Sequence, residues 1–154
     1  MHTAANTIID LVSSHAQNIP DHTALVSGNI KYSYARLASV TDSLARELKL
    51  RGIKKGQIVC VMLERSAEMI LSLLAIIKCG AAYLPVEPSY PKERISYLLS
   101  DSRAAGIISR SGLLGGIKVL PKVILCLDSS TDSEKPLAAK NDTLTSADLN
   151  KLSP

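Results

Sequence analysis

A continuous β-branched run at Gln57–Leu63, followed within a few residues by a helical stretch that is apolar on nearly every side, constrains the fold of this chain more than any other feature. A strand without polar alternation is typical of a sheet that is covered on both faces. The helical stretch, Ala67–Cys79, follows Ser66 as N-cap and precedes Gly80 as C′ residue. A helix with almost no polar face needs cover on most sides, so this pair of elements predicts a layered α/β domain.

The same alternation of strands and helices continues along the chain. The order strand, helix, strand, helix, strand predicts a parallel sheet with right-handed crossovers. A tight hairpin across Gly28–Asn29 precedes it, because both residues tolerate a positive φ. Further helices are predicted at Ile8–Gln17, Tyr34–Leu50 and from Pro91 onward, and further strands at Ala24–Ser27, Ile30–Ser33, Ala82–Val86, Ala105–Ser109 and Val123–Leu127.

Two of these helices rest on particular residues. The first is predicted from the helical spacing of Ile8, Leu11, Val12 and His15. In the last, Pro91 is predicted to occupy the first helical position, where its missing N–H does no harm.

Composition excludes several classes of protein. With 46% hydrophobic residues and a net charge of +4, the chain can bury enough surface to fold. The longest apolar run, Met69–Ile77, is far shorter than the roughly 20 residues of a membrane-spanning helix. Five Tyr without Phe or Trp are too few aromatic residues for a nucleic-acid stacking platform.

Cysteine usage and the N-terminus indicate a cytoplasmic protein. Cys60, Cys79 and Cys126 are odd in number and lie in apolar stretches, which argues against a disulfide framework. Residues 1–10 contain no basic region followed by an apolar one, so no secretory signal is predicted.

Charge divides the chain into two segments. Residues 128–154 hold five acids and three Lys, which predicts a polar, acidic linker after a folded segment at residues 1–127. Within the folded segment, the sharpest basic cluster surrounds the predicted end of a helix at Arg51, where cations complement the helix dipole. The cluster comprises Arg46, Lys49, Arg51, Lys54 and Lys55.

The sequence lacks the common motifs of nucleotide-binding and metal-binding sites. No GxGxxG follows a predicted strand, and the glycines of residues 112–116 are not followed by the Lys-Ser or Lys-Thr of a phosphate-binding loop. His2, His15 and His22 lie far from the cysteines, and no pair has metal-ligand spacing.

Two pairs of charged residues lie next to apolar elements, Glu64–Arg65 and Glu93–Arg94. We interpret them as strand-end and first-turn charges, because a catalytic pair would need a partner group that the sequence does not offer. The sequence therefore predicts no catalytic, cofactor-binding or metal-binding residue in this chain.

Two stretches resemble motifs of a known family. Residues 63–66 and 77–91, followed by Arg94, closely resemble the second core motif of the adenylation domains of nonribosomal peptide synthetases, and residues 32–37 resemble the first. The resemblance extends over residues 8–109 and implies an α/β fold that forms the N-terminal part of the large subdomain of an adenylate-forming enzyme. Cys79 and Glu87 depart from the usual Ala and Asp but conserve size or charge.

The first motif departs from the family at one position. Ser33 keeps the forward half of a capping box, but Arg36 stands where the family has Glu. The reciprocal hydrogen bond is therefore lost and a cation lies near the positive end of the helix, at a cost of roughly 0.3–1 kcal/mol.

The resemblance implies an activity whose chemical groups are absent from this chain. Enzymes of the family use ATP and Mg²⁺ to convert an amino acid to its adenylate, then transfer the acyl group to the phosphopantetheine thiol of a carrier protein. Their phosphate loop, amino-acid pocket and catalytic Lys have no counterpart here, so we expect no ligand to bind this chain alone. Residues 152–154 resemble the sequence that usually precedes the phosphate loop.

Three interpretations stay open. The chain is an inactive N-terminal fragment, a subunit that is complemented in trans by the remainder of the domain, or a non-catalytic interaction module. Because the missing part would cover apolar surface, we also expect self-association or a bound partner, with neither nucleic acid nor membrane involved.

Overall fold

Four α-helices and six strands lie within residues 7–128, the part of the chain that the computed structural model describes. The predicted linker at 128–154 lies, apart from Asp128, outside the described residues. The helices are α1 (Ile8–Asn18), α2 (Tyr34–Leu50), α3 (Ala67–Cys79) and α4 (Lys92–Asp101), with a 3₁₀ turn at Ser111–Leu113. The strands are β1 (Thr23–Ser27), β2 (Ile30–Ser33), β3 (Ile58–Val61), β4 (Ala82–Pro85), β5 (Gly106–Ser109) and β6 (Val123–Cys126).

Four parallel strands form the main sheet in the order β4-β3-β5-β6, and β1 and β2 form a separate antiparallel hairpin. Alternate side chains of β3 face opposite layers. Val59 and Val61 pack against α2 and α3, whereas Cys60 packs against α4. Helix α3 connects β3 to β4, toward one side of the sheet, and α4 connects β4 to β5, toward the other side. Because the two helices also lie on opposite faces of the sheet, both crossover connections have the same hand. The predicted parallel α/β architecture is confirmed.

Helix α3 is as enclosed as its sequence predicts. Seven of its residues are buried, and its first half packs Ala67, Leu71 and Leu74 against Tyr32 of β2 and Leu37 of α2. Ser66 accepts a hydrogen bond from the backbone of Met69 at the N-terminus, and Gly80 ends the helix with φ +80°. The helix thus joins the hairpin to the sheet.

Helix α1 packs differently from the pattern that predicted it. Ile9 and Val12 contact the cluster shared by α2 and α3, whereas Ile8 and Leu11 are 53% and 49% exposed. None of its residues is buried, because α1 lies at the periphery and is covered on one side.

Pro91 precedes its helix instead of beginning it. Its ψ of 141° is extended, so it is the N-cap of α4 and Lys92 is the first helical residue. The carbonyl of Pro91 accepts a hydrogen bond from the backbone N–H of Ile95 at 3.1 Å, which closes the first turn.

The N-terminal caps of α1 and α2 differ, and the incomplete cap of α2 is the one that the sequence predicts. Thr7 and Asp10 form a complete capping box on α1. On α2, the hydroxyl of Ser33 accepts a hydrogen bond from the Arg36 backbone at 3.3 Å, and no acid stands in the first turn. The Arg36 guanidinium lies 5.0 Å from the ring centre of Tyr32, and its buried Nη2 has no hydrogen-bond partner among the described residues.

We expect Ser33→Ala to lower the free energy of unfolding by about 1 kcal/mol, because the first turn of α2 loses its side-chain acceptor. Urea denaturation measures the change. Ser39→Ala is the matched control, since Ser39 lies exposed in the middle of the same helix. Equal destabilisation by both substitutions would contradict a capping role for Ser33.

Candidate functional site

The carboxyl-terminal edge of the parallel sheet has the geometry at which α/β proteins usually bind ligands. At neighbouring strands β3 and β5, the chain leaves toward opposite faces: α3 follows β3, and the segment containing Leu113 follows β5 on the α4 side. Such divergence opens a crevice outside the ends of the strands. A cleft of about 270 Å³ lies there.

Both connections line this cleft. Leu63 and Leu113 supply apolar walls, and charged groups stand around them. The complete lining is Leu63, Glu64, Arg65, Ser66, Glu68, Arg110 and Leu113. The cleft therefore combines a small apolar surface with charges of both signs.

Residues 109–111 join three elements at this edge. The buried hydroxyl of Ser109 donates to the carbonyl of Met62, at the end of β3, at 3.1 Å. Arg110 Nη2 donates to Glu68 Oε2 in the first turn of α3 at 2.8 Å. Glu68 is thus neutralised by a residue 42 positions away, and the two connections that line the cleft are held together.

Ser111 contacts the end of β6. Its backbone N–H donates to both carboxylate oxygens of Asp128 at 2.9 and 3.1 Å, and its hydroxyl donates to Oδ2 at 2.8 Å. These hydrogen bonds favour the ionised carboxylate and lower the pKa of Asp128 below its usual 3.8. Asp128, just after β6, is therefore held by hydrogen bonds to Ser111, the residue that follows Arg110.

The two charged pairs of the sequence occupy different places. Glu64 and Arg65 are exposed at the cleft, and Arg65 forms none of the ion pairs between described residues. Glu93 and Arg94 do not line the cleft; Arg94 lies 4.9 Å from the ring centre of Tyr90. That none of these groups is catalytic stays a prediction.

The described residues form a cleft that is lined by charged side chains of both signs. Between residues 7 and 128, no three His, Cys, Asp or Glu side chains come together as metal ligands. No helix in this part of the chain is long and apolar enough to span a bilayer. Sequence reasoning had no signal for Arg110, Ser111 or Asp128, since their partners are distant along the chain.

Comparison with known proteins decides the family. The model of the family described as AMP-binding enzyme matches residues 12–152. The chain belongs to this AMP-binding enzyme family. Its predicted resemblance to the adenylation domains of nonribosomal peptide synthetases is confirmed by relatives and by solved structures.

Bacitracin synthase 1 of Bacillus licheniformis is 36% identical over 139 residues, which make up 89% of this chain and 3% of that protein. Bacitracin synthase 3 of the same organism is 46% identical over 103 residues, 67% of this chain and 2% of that protein. This member of the AMP-binding enzyme family therefore spans a small part of the relatives that it matches.

A solved structure has the same fold. The crystal structure of a four-domain nonribosomal peptide synthetase bound to AMP and glycine matches 82% of this chain and 9% of its own with a TM-score of 0.72 and 27% identity. The α/β fold of adenylation domains, expected from the motifs, is thereby confirmed.

Proposed function

We propose that this chain supplies the N-terminal scaffold of an amino-acid-activating adenylation domain and is inactive without the remainder of that domain. The similarity to the synthetase that holds AMP and glycine carries the proposal, because it covers 82% of the chain with 27% identity. A cytoplasmic location, expected from the sequence, is part of the same proposal.

The proposed reaction is adenylate formation followed by acyl transfer. In the complete domain, an amino-acid carboxylate attacks the α-phosphate of ATP, pyrophosphate leaves, and a carrier-protein thiol then displaces AMP from the aminoacyl adenylate. The described residues do not fit Mg²⁺ by themselves, since Glu68 is paired with Arg110 and no three His, Cys, Asp or Glu side chains among these residues come together as metal ligands. We therefore assign no step to a residue of this chain.

The contacts at the carboxyl edge support a scaffold role. Ser109, Arg110 and Ser111 hold the ends of β3, α3 and β6 in one arrangement. A rigid edge of this kind can support a site built by other parts of a domain. On α1, Ile8 and Leu11 are about half exposed and form an apolar surface. We expect the remainder of the domain, or a second copy of the chain, to cover it.

The test is amino-acid-dependent exchange between ATP and labelled pyrophosphate. We expect no exchange above background from residues 1–154 alone. A hybrid in which this chain replaces the matching segment of bacitracin synthase 1 is expected to restore exchange, because the missing chemical groups are then present in cis. The unmodified adenylation domain of that relative is the positive control, and the same domain without the segment is the negative control.

Mixing the two separate polypeptides distinguishes the remaining interpretations. Exchange in the mixture favours complementation in trans. A folded hybrid that shows no exchange would favour the non-catalytic interaction module, and exchange by the purified chain alone would contradict the scaffold proposal.

A further inference from the structure

Exposed basic residues from the end of α2 and from separate loops lie at the amino-terminal edge of the parallel sheet, where all four strands begin. This basic edge comprises Lys49, Arg51, Lys54, Lys55, Arg103 and Lys122. Of the acids near these residues along the chain, Glu47 is paired with Arg51, and Asp101 is exposed at the end of α4. The opposite edge instead mixes both signs, with Glu64, Glu87 and Asp128 near Arg65 and Arg110.

Backbone packing brings these loops together. A Cβ placed on Gly106 would lie 2.9 Å from Ile53 Cδ1 and 3.4 Å from Val123 Cβ. The starts of β5 and β6 and the loop before β3 therefore meet at one point. Lys54 and Lys122 are the immediate neighbours of Ile53 and Val123, so residues 68 positions apart in the sequence share one surface.

Other contacts extend this surface on both sides. Arg51 Nη1 donates to the carbonyl of Ile124 in β6 at 3.1 Å, which holds the end of α2 against the sheet. Lys55 Cγ lies 3.2 Å from the position of a Cβ on Gly80, at the entry to β4.

Helix dipoles account for part of this charge. Lys49 lies in the last turn of α2, where a cation is favourable. Lys54, Lys55 and Lys122 lie outside every helix, and Arg103 has φ +51°, a conformation that Gly adopts at lower cost. The side chain of Arg103 thus occupies a position where the backbone conformation favours glycine.

Apolar side chains lie among these charges. Leu50, between Lys49 and Arg51, is 71% exposed, and Leu120, close to Lys122, is 38% exposed. An apolar centre with a charged rim is the usual anatomy of a protein–protein interface. Residues 49–57, 102–105 and 118–122 contain no aromatic side chain on which a nucleic-acid base could stack.

We propose that the basic edge is a docking surface for an acidic protein surface with an apolar side chain at its centre. The positive charge of the edge favours an acidic partner, and the exposed side chain of Leu50 favours a partner that also presents an apolar side chain. This inference does not depend on adenylation, because it uses the edge of the sheet that lies opposite the cleft.

Fluorescence anisotropy with two labelled probes of equal length tests the proposal: a peptide of Glu and Leu, and a peptide of Glu alone. In about 0.15 M salt, we expect Lys54→Glu/Lys122→Glu to weaken binding of the Glu–Leu peptide at least about tenfold. The control variant, Lys31→Glu/Arg94→Glu, makes the same change in net charge at exposed sites away from both the edge and the cleft, and should weaken binding less than about threefold. Circular dichroism confirms that each variant is folded.

A third variant tests the apolar centre. Leu50→Ser should weaken binding of the Glu–Leu peptide and leave binding of the all-Glu peptide unchanged. Equal loss in the two charge variants would overturn the proposal, because binding would then follow net charge alone. Tighter binding of duplex DNA or heparin with the same dependence on Lys54 and Lys122 would also overturn it, since the partner would be a different polyanion.

Discussion

Replacing Leu71 with Ala is expected to lower the free energy of unfolding by about 2–5 kcal/mol, the largest effect among the substitutions considered. Leu71 is fully buried in α3, where it packs with Leu74 against Tyr32 and Leu37. Truncation leaves a cavity at the place where the hairpin, α2 and α3 meet, and these elements cannot all move to fill it. Urea denaturation followed by circular dichroism measures the loss.

Ile70→Ala is the matched control for this prediction. Ile70 is the preceding residue of the same helix and is 40% exposed. Its truncation removes the same class of side chain without opening an enclosed cavity, so we expect a loss below about 1 kcal/mol. If both variants lose equal stability, α3 does not join the hairpin to the sheet as the packing indicates.

While the chain is folded, Cys60 is expected to react with thiol reagents at least about a thousandfold more slowly than the same residue does in urea. It is fully buried in β3, and burial raises the pKa of its thiol from 9.0 to about 12. At pH 8 a rise of about three pKa units lowers the reactive thiolate about a thousandfold, and the surrounding side chains block access as well. Labelling for increasing times, followed by mass spectrometry of the Cys60 peptide, measures the rate.

Cys126 provides an internal control in the same experiment. It is partly exposed at the end of β6, so its peptide should be labelled well before that of Cys60. Labelling of Cys60 at the rate of Cys126 would mean that the layer between β3 and α4 opens readily.

The sequence patterns with the most continuous apolar residues predicted the positions of their elements most accurately. The apolar run at residues 57–63 and the enclosed helix Ala67–Cys79 both appear where expected, because neither pattern is stable except between two covering layers. Strand ends were less accurate: β3 is Ile58–Val61, shorter than the run that predicted it. An apolar run continues beyond the hydrogen-bonded ladder wherever the following loop is also buried, as at Met62 and Leu63.

Elements at the periphery departed further from their patterns. Helical spacing located α1, but exposed Ile8 and Leu11 show that spacing does not say which side finds a neighbour. The sequence predicts Pro91 one position too far into α4, because its fixed φ suits both the N-cap and the first helical residue, and only ψ distinguishes the two positions.

The candidate site and the basic edge arise from contacts between distant residues. Local chemistry does not reveal that Arg110 neutralises Glu68, or that Asp128 binds Ser111. The cluster around Arg51 was visible in the sequence, but Arg103 and Lys122 join it only because parallel strands begin at a common edge.

By itself, the sequence determined the alternation of strands and helices, the caps that begin α2 and α3, and the motifs of an adenylation domain, because each depends on residues within a few positions of one another. The tertiary structure decided the order of strands in the sheet, the cleft at one edge and the positive charge at the other. Those features depend on which surfaces meet when the layers pack, and packing joins residues that no local interaction relates.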